Sequence, residues 1–540
     1  MAKRKIVILG GALSGPTAAA HARETDHSAQ IILLERARAI SYAVGGLPYY
    51  LSGEIVARTD IAPYTADFFR HDYDVEVRTS VSVERLDASK RKVHTSEGVV
   101  GYDTLIYALG AGSVLPPVFG EGASNLSFLR NPAQLQRIDA ILKKGARRVA
   151  ILGGGYYGVE AADCLARRGL EVTLIERGPQ LLPEFSPEAA GRAAQALVER
   201  GVDVRIGHGV DAVRRKGKQI VALELGGGER IDVELILVTA GVRPRTEIFA
   251  EAGGELLADG SIHVDERCAT NLEHVFATSI CVSHTHAVTG EPVWTAQASD
   301  ADKTAQVAGI NAAGGDARLG PTLGTAIVRA GDLHLARTGL NRRGGPLDAA
   351  RVHVFGHSCD PFFRGSEPLD LALYHARDSG RILGAEVVGR GGVDKRIDVL
   401  ATAIVAGLDL RQLAQLDLAY SPPYSMTRDI INVAGVVGQQ ARHVRAWEPA
   451  ELAAREAEVL VFDVRRKAER KAQPFAAPAL DLAELREHKA ALRKARAVVF
   501  VCETGRSSYL AARAAGQLGC PGPGYLSGGL RAWRAARLDG

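Results

Sequence analysis

The sequence predicts an α/β protein whose first half holds two strand–glycine–helix units in series. Residues 5–9 (KIVIL) and residues 149–152 (VAIL) are short apolar runs that pass directly into glycine-rich segments. Apolar runs of this length, bounded by turn residues, are typical of buried parallel strands. In both places the glycines precede a stretch suited to a helix and then a second apolar run. This repeated order predicts a parallel sheet covered by helices.

The first unit has the pattern of a dinucleotide-binding loop. GGALSG is followed by an alanine-rich helix, and the next strand, IILLE, ends in an acid. In such a loop the glycines allow a tight turn and close packing, the helix N-terminus faces a pyrophosphate, and the acid binds a ribose diol. Alanine stands where the middle glycine is usual. We therefore predict a cofactor site at Gly10, Gly11, Ala12, Gly15 and Glu35.

The second unit is the more complete of the two. GGGYYG retains Gly153, Gly155 and Gly158, and the strand EVTLIE ends in Glu176. An acid at this position favours NADH over NADPH, but Arg177 beside it weakens the preference, so both remain open. Two such units in series predict a Rossmann-like pair, one binding FAD permanently and one receiving a nicotinamide cofactor that visits it.

Length and composition narrow the class of protein. The 540 residues suggest about three or four domains, and 46% hydrophobic with 24% charged residues is usual for globular proteins. The six cysteines form no CxxC pair, no leader pattern is present, and no run approaches the ~18 apolar residues of a membrane span. We predict a cytoplasmic protein with no membrane partner. Basic and aromatic residues do not interleave as in nucleic-acid binders, so no nucleic acid is expected.

Charge is uneven along the chain. Residues 441–540 carry a net charge of +7, while the first 440 carry −3. The basic part either attracts anions such as sulfane sulfur or forms an arginine-rich solvated surface, and both interpretations stay open.

Five segments resemble the coenzyme A-disulfide reductases and NAD(P)H-dependent polysulfide reductases, which are pyridine nucleotide-disulfide oxidoreductases. They are SYAVGGLPYYLSGEI (residues 41–55), YDTLIYALGA (102–111), VTAGVRPRT (238–246), GRILGAEVVGRGGVDKRIDVLATAI (380–404) and LDLAYSPPYSMTRDIINVAG (416–435). The resemblance covers nearly all of residues 1–440. It implies FAD and NADH or NADPH as cofactors, a small sulfur-containing substrate with a coenzyme A-type thiol among the candidates, and a homodimer in which the 420–429 segment reaches the partner's flavin site.

The resemblance also implies domain limits and site residues. The domains are an FAD-binding domain (1–115 and 246–320), an NAD(P)H-binding domain (116–245), an α+β dimerisation domain (321–440) and the C-terminal part (445–540). The further cofactor-binding residues are Gly110, Tyr156, Glu160, Gly241 and Tyr420. Tyr420 and Tyr424 are candidate catalytic residues, and Thr17, Ser41, Gly45 and Arg428 are candidate substrate contacts. Tyr156 either gates the nicotinamide pocket or packs in the helix.

Residues 445–540 resemble an α/β rhodanese domain. VLVFDVR (459–465) is similar to its first strand, VVFVCETGRSSYLAARAAGQLG to its active-site loop and helix, and YLSGGLRAW to its closing motif. Backbone N–H groups curling around Cys502, with a helix starting near Ser507 and Ser508, would form a nest that stabilises a thiolate or persulfide. We predict Cys502 and Arg506 as catalytic, the alternative being an inert buried cysteine.

The chain departs from the reductase pattern at its centre. Gly45 stands where the family carries its redox cysteine, and Ser279 and Ile280 stand where its second flavin motif has glycine and aspartate. Glycine has no sulfur, so the usual relay from flavin to cysteine is lost. Two cysteines and two histidines that the resemblance does not explain each have two interpretations. Cys281 and Cys359 are either core or substitute thiols, and His284 and His286, on a predicted loop, are either surface residues or metal ligands. No metal is predicted.

These features lead to one favoured function and two alternatives. The favoured function is an FAD- and NAD(P)H-dependent oxidoreductase acting on a sulfane-sulfur, persulfide or disulfide substrate, with Cys502 as sulfur carrier. The first alternative is an NADH oxidase that passes electrons from flavin to oxygen or a quinone. The second is a degenerate flavin scaffold serving as a sulfurtransferase or sulfur-binding protein.

Overall fold

The protein forms two compact units of mixed α/β structure. A computed structural model describes residues 3–340, 349–441 and 444–536. The first unit comprises Met1–Pro179 with Arg200–Gly324, and the second comprises Gln180–Glu199 with Thr325–Gly540. No helix within the described ranges is long and apolar enough to cross a membrane. The predicted α/β class is confirmed.

The first glycine unit lies in a five-stranded parallel sheet. Its strands, in spatial order, are Val275–Ala277, Thr104–Tyr107, Lys5–Leu9, Gln30–Glu35 and Val75–Thr79. The central strand is fully buried along Ile6–Leu9, as the apolar run predicts. The helices of this part are Ser14–Thr25, Leu47–Ser52, Arg58–Ile61, Ala66–Tyr73, Glu247–Glu251 and Ala298–Ala312. A Cβ at Gly309 would overlap the Ala18 carbonyl oxygen, so this glycine allows the helices Ser14–Thr25 and Ala298–Ala312 to pack closely.

The second glycine unit lies in a sheet of the same kind. Its strands are ordered Asp203–Ile206, Glu171–Glu176, Arg148–Leu152, Leu235–Val238 and Leu126–Ser127, all parallel. The helices Pro132–Lys143 and Tyr156–Arg167 belong to it. Each sheet is accompanied by a three-stranded antiparallel sheet: Val83–Asp87, Lys92–Thr95 and Gly98–Gly101 for the first, and Val210–Lys216, Gln219–Leu225 and Arg230–Asp232 for the second. Ala111–Ser113 pairs with Val242–Pro244 where the chain crosses between the two parts.

The second unit begins with the helix Pro187–Glu199 and a five-stranded antiparallel sheet. The strand order is Ala326–Ala330, Leu333–Gly339, Ile382–Gly389, Pro368–Ala376 and Ala349–His357. The helices Val393–Val405, Leu410–Ala414 and Ile430–Ala441 complete this α+β part. Helix Pro187–Glu199 falls within the stretch predicted as the NAD(P)H-binding domain, yet it packs with the second unit. The predicted domain limits remain predictions.

The C-terminal part is a four-stranded parallel sheet with helices. Its strands are ordered Arg445–Trp447, Pro523–Leu526, Val498–Val501 and Leu460–Asp463. Its helices are Pro449–Arg455, Lys467–Ala472, Lys489–Lys494, Arg506–Gln517 and Gly529–Ala536.

Two local predictions are wrong. The strand predicted to come first in the C-terminal part is preceded by Arg445–Trp447. Three residues are too few to show a strand periodicity. His284 lies in the strand Ser283–Thr285, paired with Pro292–Trp294, and is buried, where a loop was predicted. The flanking polar residues conceal this short strand in the sequence.

Candidate active site

The glycines of the first unit are required by close contacts. Gly10 has φ +103°, and a Cβ there would overlap the Ala108 carbonyl oxygen. A Cβ at Gly15 would overlap the carbonyl oxygen of Gly10, so only glycine lets the helix Ser14–Thr25 start this close to its strand. These contacts fit the roles of the first and last glycines in a dinucleotide loop.

Glu35 is fixed at the end of its strand by two backbone donors. Gly11 N–H donates to Oε2 at 2.6 Å, and Ala37 N–H donates to Oε1 at 2.6 Å. Each carboxylate oxygen keeps a lone pair for a further donor. The carboxylate is therefore oriented beside the glycine loop, where a ribose diol would meet it.

A group of positive charges lies near this loop. Burial is the main cause that lowers the pKa of Arg245, and the like charges of Arg36 and Arg130 add to it. Burial likewise lowers the pKa of Arg130. Among the described residues neither Arg130 nor Arg245 forms an ion pair, and Arg245 Nη1 donates to the Leu109 carbonyl at 3.5 Å. Guanidinium groups without an ion-pair partner bind anions such as a pyrophosphate.

The second loop repeats the geometry of the first. Gly153 has φ +104°, and a Cβ there would lie 2.7 Å from the Thr239 carbonyl oxygen. A Cβ at Gly155 would meet nothing within 4 Å, so the loop is open where a phosphate would approach. Glu176 accepts hydrogen bonds from Gly154 N–H at 2.6 Å and Gly178 N–H at 2.5 Å, as Glu35 does in the first unit. Both loops thus have the close glycine contacts and the fixed carboxylate that are typical of dinucleotide loops.

The 41–52 segment is tied to both glycine units. Ser41 N–H donates to the Gly11 carbonyl at 2.8 Å, and Ser41 itself has φ +50°. On the other side, Tyr157 Oη donates to the Val44 carbonyl at 2.8 Å, and Tyr49 Oη donates to Glu160 Oε1 at 2.9 Å. The structure therefore brings Glu160 into contact with the segment that contains Ser41, and both are predicted site residues.

Gly45 itself has room around it. A Cβ at this position would meet nothing within 4 Å, and its backbone is outside the left-handed region. Glycine is therefore not required here by the fold. The other predicted glycines, Gly110 and Gly241, both have positive φ, +62° and +102°, at the turns that follow their strands.

Cys502 lies at the end of a buried strand and beneath a helix N-terminus. Its Sγ is 3.3 Å from the N–H of Ser508 and 3.3 Å from the Ser508 hydroxyl. Gly505, with φ +88°, turns the chain into the helix Arg506–Gln517. Cys502 is 4% exposed, and Arg506, the first residue of that helix, is exposed. Such a loop can stabilise a sulfur anion because N–H groups and a helix N-terminus point at it.

Comparison with known proteins decides the family. Residues 4–301 match the pyridine nucleotide-disulphide oxidoreductase family, and residues 448–536 match the rhodanese-like domain. The chain belongs to the pyridine nucleotide-disulphide oxidoreductase family. It carries a C-terminal rhodanese-like domain, as predicted. FAD and NADH or NADPH are the cofactors of this family, which confirms the prediction from the two glycine units.

Two solved structures match the chain over nearly its whole length. The chain is 30% identical to the reduced CoADR-RHD of Bacillus anthracis, with a TM-score of 0.94, covering 99% of this chain and 98% of that one. It is 29% identical to an NAD-dependent persulfide reductase from A. fulgidus, with a TM-score of 0.90 and coverage of 98% and 100%. A protein named NADH oxidase from Methanocaldococcus jannaschii is 27% identical over 80% of this chain and 97% of its own length.

The residues expected from the family pattern in the second unit lie at its surface. Tyr420 is 47% exposed and Tyr424 is 72% exposed. Tyr420 Oη donates to Asp360 Oδ2 at 2.8 Å. The segment that carries both tyrosines is anchored by Asp429, which is buried and pairs with Arg396 at 2.7 Å. Arg428 is exposed as well. In the first unit, Thr17 is half-buried and its Oγ1 donates to Asp302 Oδ1 at 3.2 Å.

The loop after Val275–Ala277 contains Ser279 and Ile280, where the family resemblance predicts glycine and aspartate. Ser279 has φ +81°, a conformation that favours glycine, so a side chain is held in the left-handed region. The Ile280 carbonyl accepts from Trp294 Nε1 at 3.0 Å, which fixes the loop, but the side chain offers no acceptor.

Among the cysteines and histidines singled out in the sequence, Cys281, Cys359 and His284 are buried, whereas His286 is half-buried with its Nδ1 3.3 Å from the Thr289 hydroxyl. Burial raises the pKa of Cys281 to about 12, and Cys359 is also buried. Burial lowers the pKa of His284, against the opposing effect of Asp300. Within the described ranges no group of three or more His, Cys, Asp or Glu side chains could hold a metal ion.

The sequence did not predict a role for Arg130, Arg245 or Tyr157. Arg130 and Arg245 lie outside both glycine motifs, and the only signal was their positive charge. Tyr157 lies inside GGGYYG, but nothing in the motif indicates that its hydroxyl reaches residue 44.

Proposed function

We propose that this protein reduces sulfane sulfur at the expense of NADH or NADPH, without a redox cysteine beside the flavin. The overall reaction converts a persulfide, NAD(P)H and a proton into a thiol, hydrogen sulfide and NAD(P)⁺. The observation that carries the proposal is the intact Cys502 loop in a chain whose two dinucleotide loops are formed but whose residue 45 has no sulfur. A disulfide or a coenzyme A-type persulfide is an alternative substrate of the same chemistry.

The residues of this chain have separate tasks in that reaction. Glu35 and Glu176 hold the two ribose groups, and the two glycine loops cradle the pyrophosphates. FAD, when bound, supplies the transfer of two electrons between the nicotinamide and the sulfur substrate. Ser508 stabilises a sulfur anion on Cys502 through its N–H and hydroxyl, and Arg506 attracts an anionic sulfur donor. Glu176 supports NADH as the preferred nicotinamide.

We further propose that the active protein is a cytoplasmic homodimer. Support for the homodimer comes from exposed aromatic residues on two loops of the second unit. The two loops are joined by a backbone hydrogen bond. Asp360 N–H donates to the Pro422 carbonyl at 3.2 Å, and Phe362 and Tyr424 are 79% and 72% exposed. Exposed aromatic patches of this kind mark protein interfaces. Tyr420, Tyr424 and Arg428 would then face the partner's flavin site.

The proposal is tested by replacing Cys502 with serine in the FAD-loaded chain. We expect NADH-dependent sulfide release from inorganic polysulfide to fall at least about tenfold, because serine cannot carry sulfane sulfur. Cys520→Ser is the matched control, since Cys520 is buried in the same domain and its pKa is raised by burial. Unchanged sulfide release in Cys502→Ser would contradict the role of Cys502.

Oxygen consumption and the flavin absorption spectrum distinguish the two alternative functions. A relative named NADH oxidase makes oxygen the natural competitor as electron acceptor. NADH-dependent oxygen consumption that needs no sulfur substrate, with no sulfide released, would favour an oxidase. A purified protein without the flavin absorption band near ~450 nm would favour a scaffold without redox function, since the cofactor carries the redox chemistry.

A further inference from the structure

One face of the strand Ala349–His357 carries the rhodanese-like domain. Side chains two residues apart on a strand share a face, so Arg351, His353 and Phe355 point the same way. Arg351 Nη1 is 2.5 Å from Glu448 Oε2, and the Arg531 guanidinium lies 5.2 Å from the centre of the Phe355 ring. Between these two contacts, His353 packs against Gly528, where a Cβ would overlap Nδ1. All three side chains therefore touch the C-terminal part of the second unit.

His353 is held rigidly in this position. Its Nε2 donates to Asp370 Oδ1, and Asp370 Oδ2 accepts from Arg192 at 2.8 Å. The imidazole also stacks on Phe355, with the ring centres 4.9 Å apart. His353 is 5% exposed, and its Nδ1 has no hydrogen-bond partner among the described residues. Because one edge of the ring is bound and one face is stacked, the ring cannot turn away from Gly528.

The turn that His353 supports also holds the Cys502 loop. Gly528 and Gly529 have φ +70° and +60°, so the chain reverses here in a conformation that favours glycine. A Cβ at Gly529 would lie 2.5 Å from the Cys502 carbonyl oxygen. Directly after the glycines, Leu530 N–H donates to that carbonyl at 2.8 Å, and Arg531 N–H donates to the Glu503 carbonyl at 3.0 Å. His353 lies behind the turn, and Cys502 lies in front of it.

We propose that His353 is a positioning residue for sulfur transfer at Cys502. It supports the Gly528–Gly529 turn, which in turn fixes the backbone of Cys502 so that Sγ meets the Ser508 N–H and hydroxyl. The inference rests on the proposed role of Cys502 as sulfur carrier. The anchor of His353 lies in the antiparallel sheet and the helix Pro187–Glu199, outside the rhodanese-like domain. The domain therefore depends on the rest of its own unit for an aligned site.

The test uses the full, FAD-loaded chain with inorganic polysulfide as donor and cyanide as acceptor. The terminal sulfur of the polysulfide bonds to Cys502 Sγ, and the shortened polysulfide leaves with the electron pair of the broken S–S bond. Cyanide then takes the sulfur as thiocyanate and returns the Cys502 thiolate. In His353→Ala we expect kcat to fall about tenfold or more, since small displacements of reacting atoms are costly. KM for polysulfide should stay within about twofold, because Arg506 and the helix N-terminus are untouched.

Two further variants separate positioning from general damage. His353→Gln keeps an N–H donor near the place of Nε2 and much of the ring's bulk, so it should restore most of kcat. His375→Ala removes an equally buried histidine from the neighbouring strand and should leave kcat unchanged. Wild-type kcat in His353→Ala, or an equal fall of kcat in His375→Ala, would overturn the inference alone. A wild-type chain that transfers no sulfur from polysulfide would overturn the proposed function together with it.

Discussion

At residue 45 the chain has room for a side chain that it does not carry. The surroundings of Gly45 leave a Cβ free of contacts within 4 Å, while Val44 before it is held by Tyr157 and Gly46 after it packs near Ile55. The segment has therefore kept a fixed backbone around an unobstructed position. The fold therefore gives no steric reason for glycine at residue 45.

Gly45→Cys should therefore fold and gain an activity. We expect NADH-dependent reduction of coenzyme A disulfide to two thiols, measured as thiol release under exclusion of oxygen, at a rate at least about tenfold above that of the unmodified chain. Replacing a glycine at an unstrained position should also stabilise the fold by roughly 0.4–1 kcal/mol through the unfolded state. Gly46→Cys is the control, since a Cβ there already lies 3.3 Å from Ile55 Cδ1. Equal thiol release from both variants, or from neither, would contradict this expectation.

At the scale of elements, the loop after Val275–Ala277 combines backbone strain with the lack of a side-chain hydrogen-bond acceptor for a flavin. Ser279 is held at φ +81°, which costs an L-residue about 1–2 kcal/mol, and Ile280 offers no acceptor to a flavin side chain. The Trp294 hydrogen bond to the Ile280 carbonyl keeps the loop in this shape. The loop thus holds a non-glycine residue in a conformation that favours glycine.

Replacing Ser279 and Ile280 should have two effects, one on stability and one on FAD release, that can be measured separately. Ser279→Gly alone should raise the free energy of unfolding by about 1 kcal/mol, because it removes the left-handed strain. Adding Ile280→Asp should slow the release of FAD by about tenfold or more, since a hydrogen bond to a charged group contributes about 1.5–3 kcal/mol. Thermal unfolding and the fluorescence of released FAD measure the two effects. Faster release of FAD from the double variant than from Ser279→Gly would contradict the second.

The same scale shows what the sequence could predict. The strands Lys5–Leu9 and Arg148–Leu152 and their glycine turns depend on neighbours close in the chain, so apolar runs and glycine spacing were enough to find them. The side chains of Arg351, His353 and Phe355 alternate with the buried Val352 and Val354, and this mixture of basic and aromatic residues gives no clear apolar face in the sequence. It is covered by segments distant in the chain, and no local pattern encodes that contact. Tyr420 was predicted as a site residue from family resemblance alone, and its hydrogen-bond acceptor Asp360 was not predicted.

At the scale of the whole chain, the stability of the second unit depends on buried pairs of opposite charge. Although burial alone would raise the pKa of Glu188 and Asp429, Arg351 and Arg396 respectively hold both below their usual values. His353, followed by Arg192 and Arg351, does the same for the pKa of Asp370 against its burial. Carboxyl groups with depressed pKa values stabilise the fold above the pKa of the unfolded chain and lose that contribution as pH falls through the folded-state pKa. The second unit should therefore become less stable as pH falls below about 4.

Glu386 has the opposite sign and allows a discriminating test. Burial raises the pKa of Glu386 above its ordinary value of 4.5, and Ser186 N–H, which donates to it at 2.9 Å, only partly offsets this. A raised pKa means that the group favours folding below pH 4.5 and that this contribution is lost as pH rises through the folded-state value. Glu386→Gln resembles the protonated acid and can still accept from Ser186. We expect it to unfold at a higher temperature than the unmodified chain at pH 7, and the difference to vanish at about pH 4. Asp429→Asn is the counterpart, because it leaves Arg396 buried without its partner and should cost about 3–5 kcal/mol at neutral pH. A Glu386→Gln chain that is less stable at pH 7 would mean that the carboxylate is ionised in place and needed there, with Arg351 as the cation that holds it.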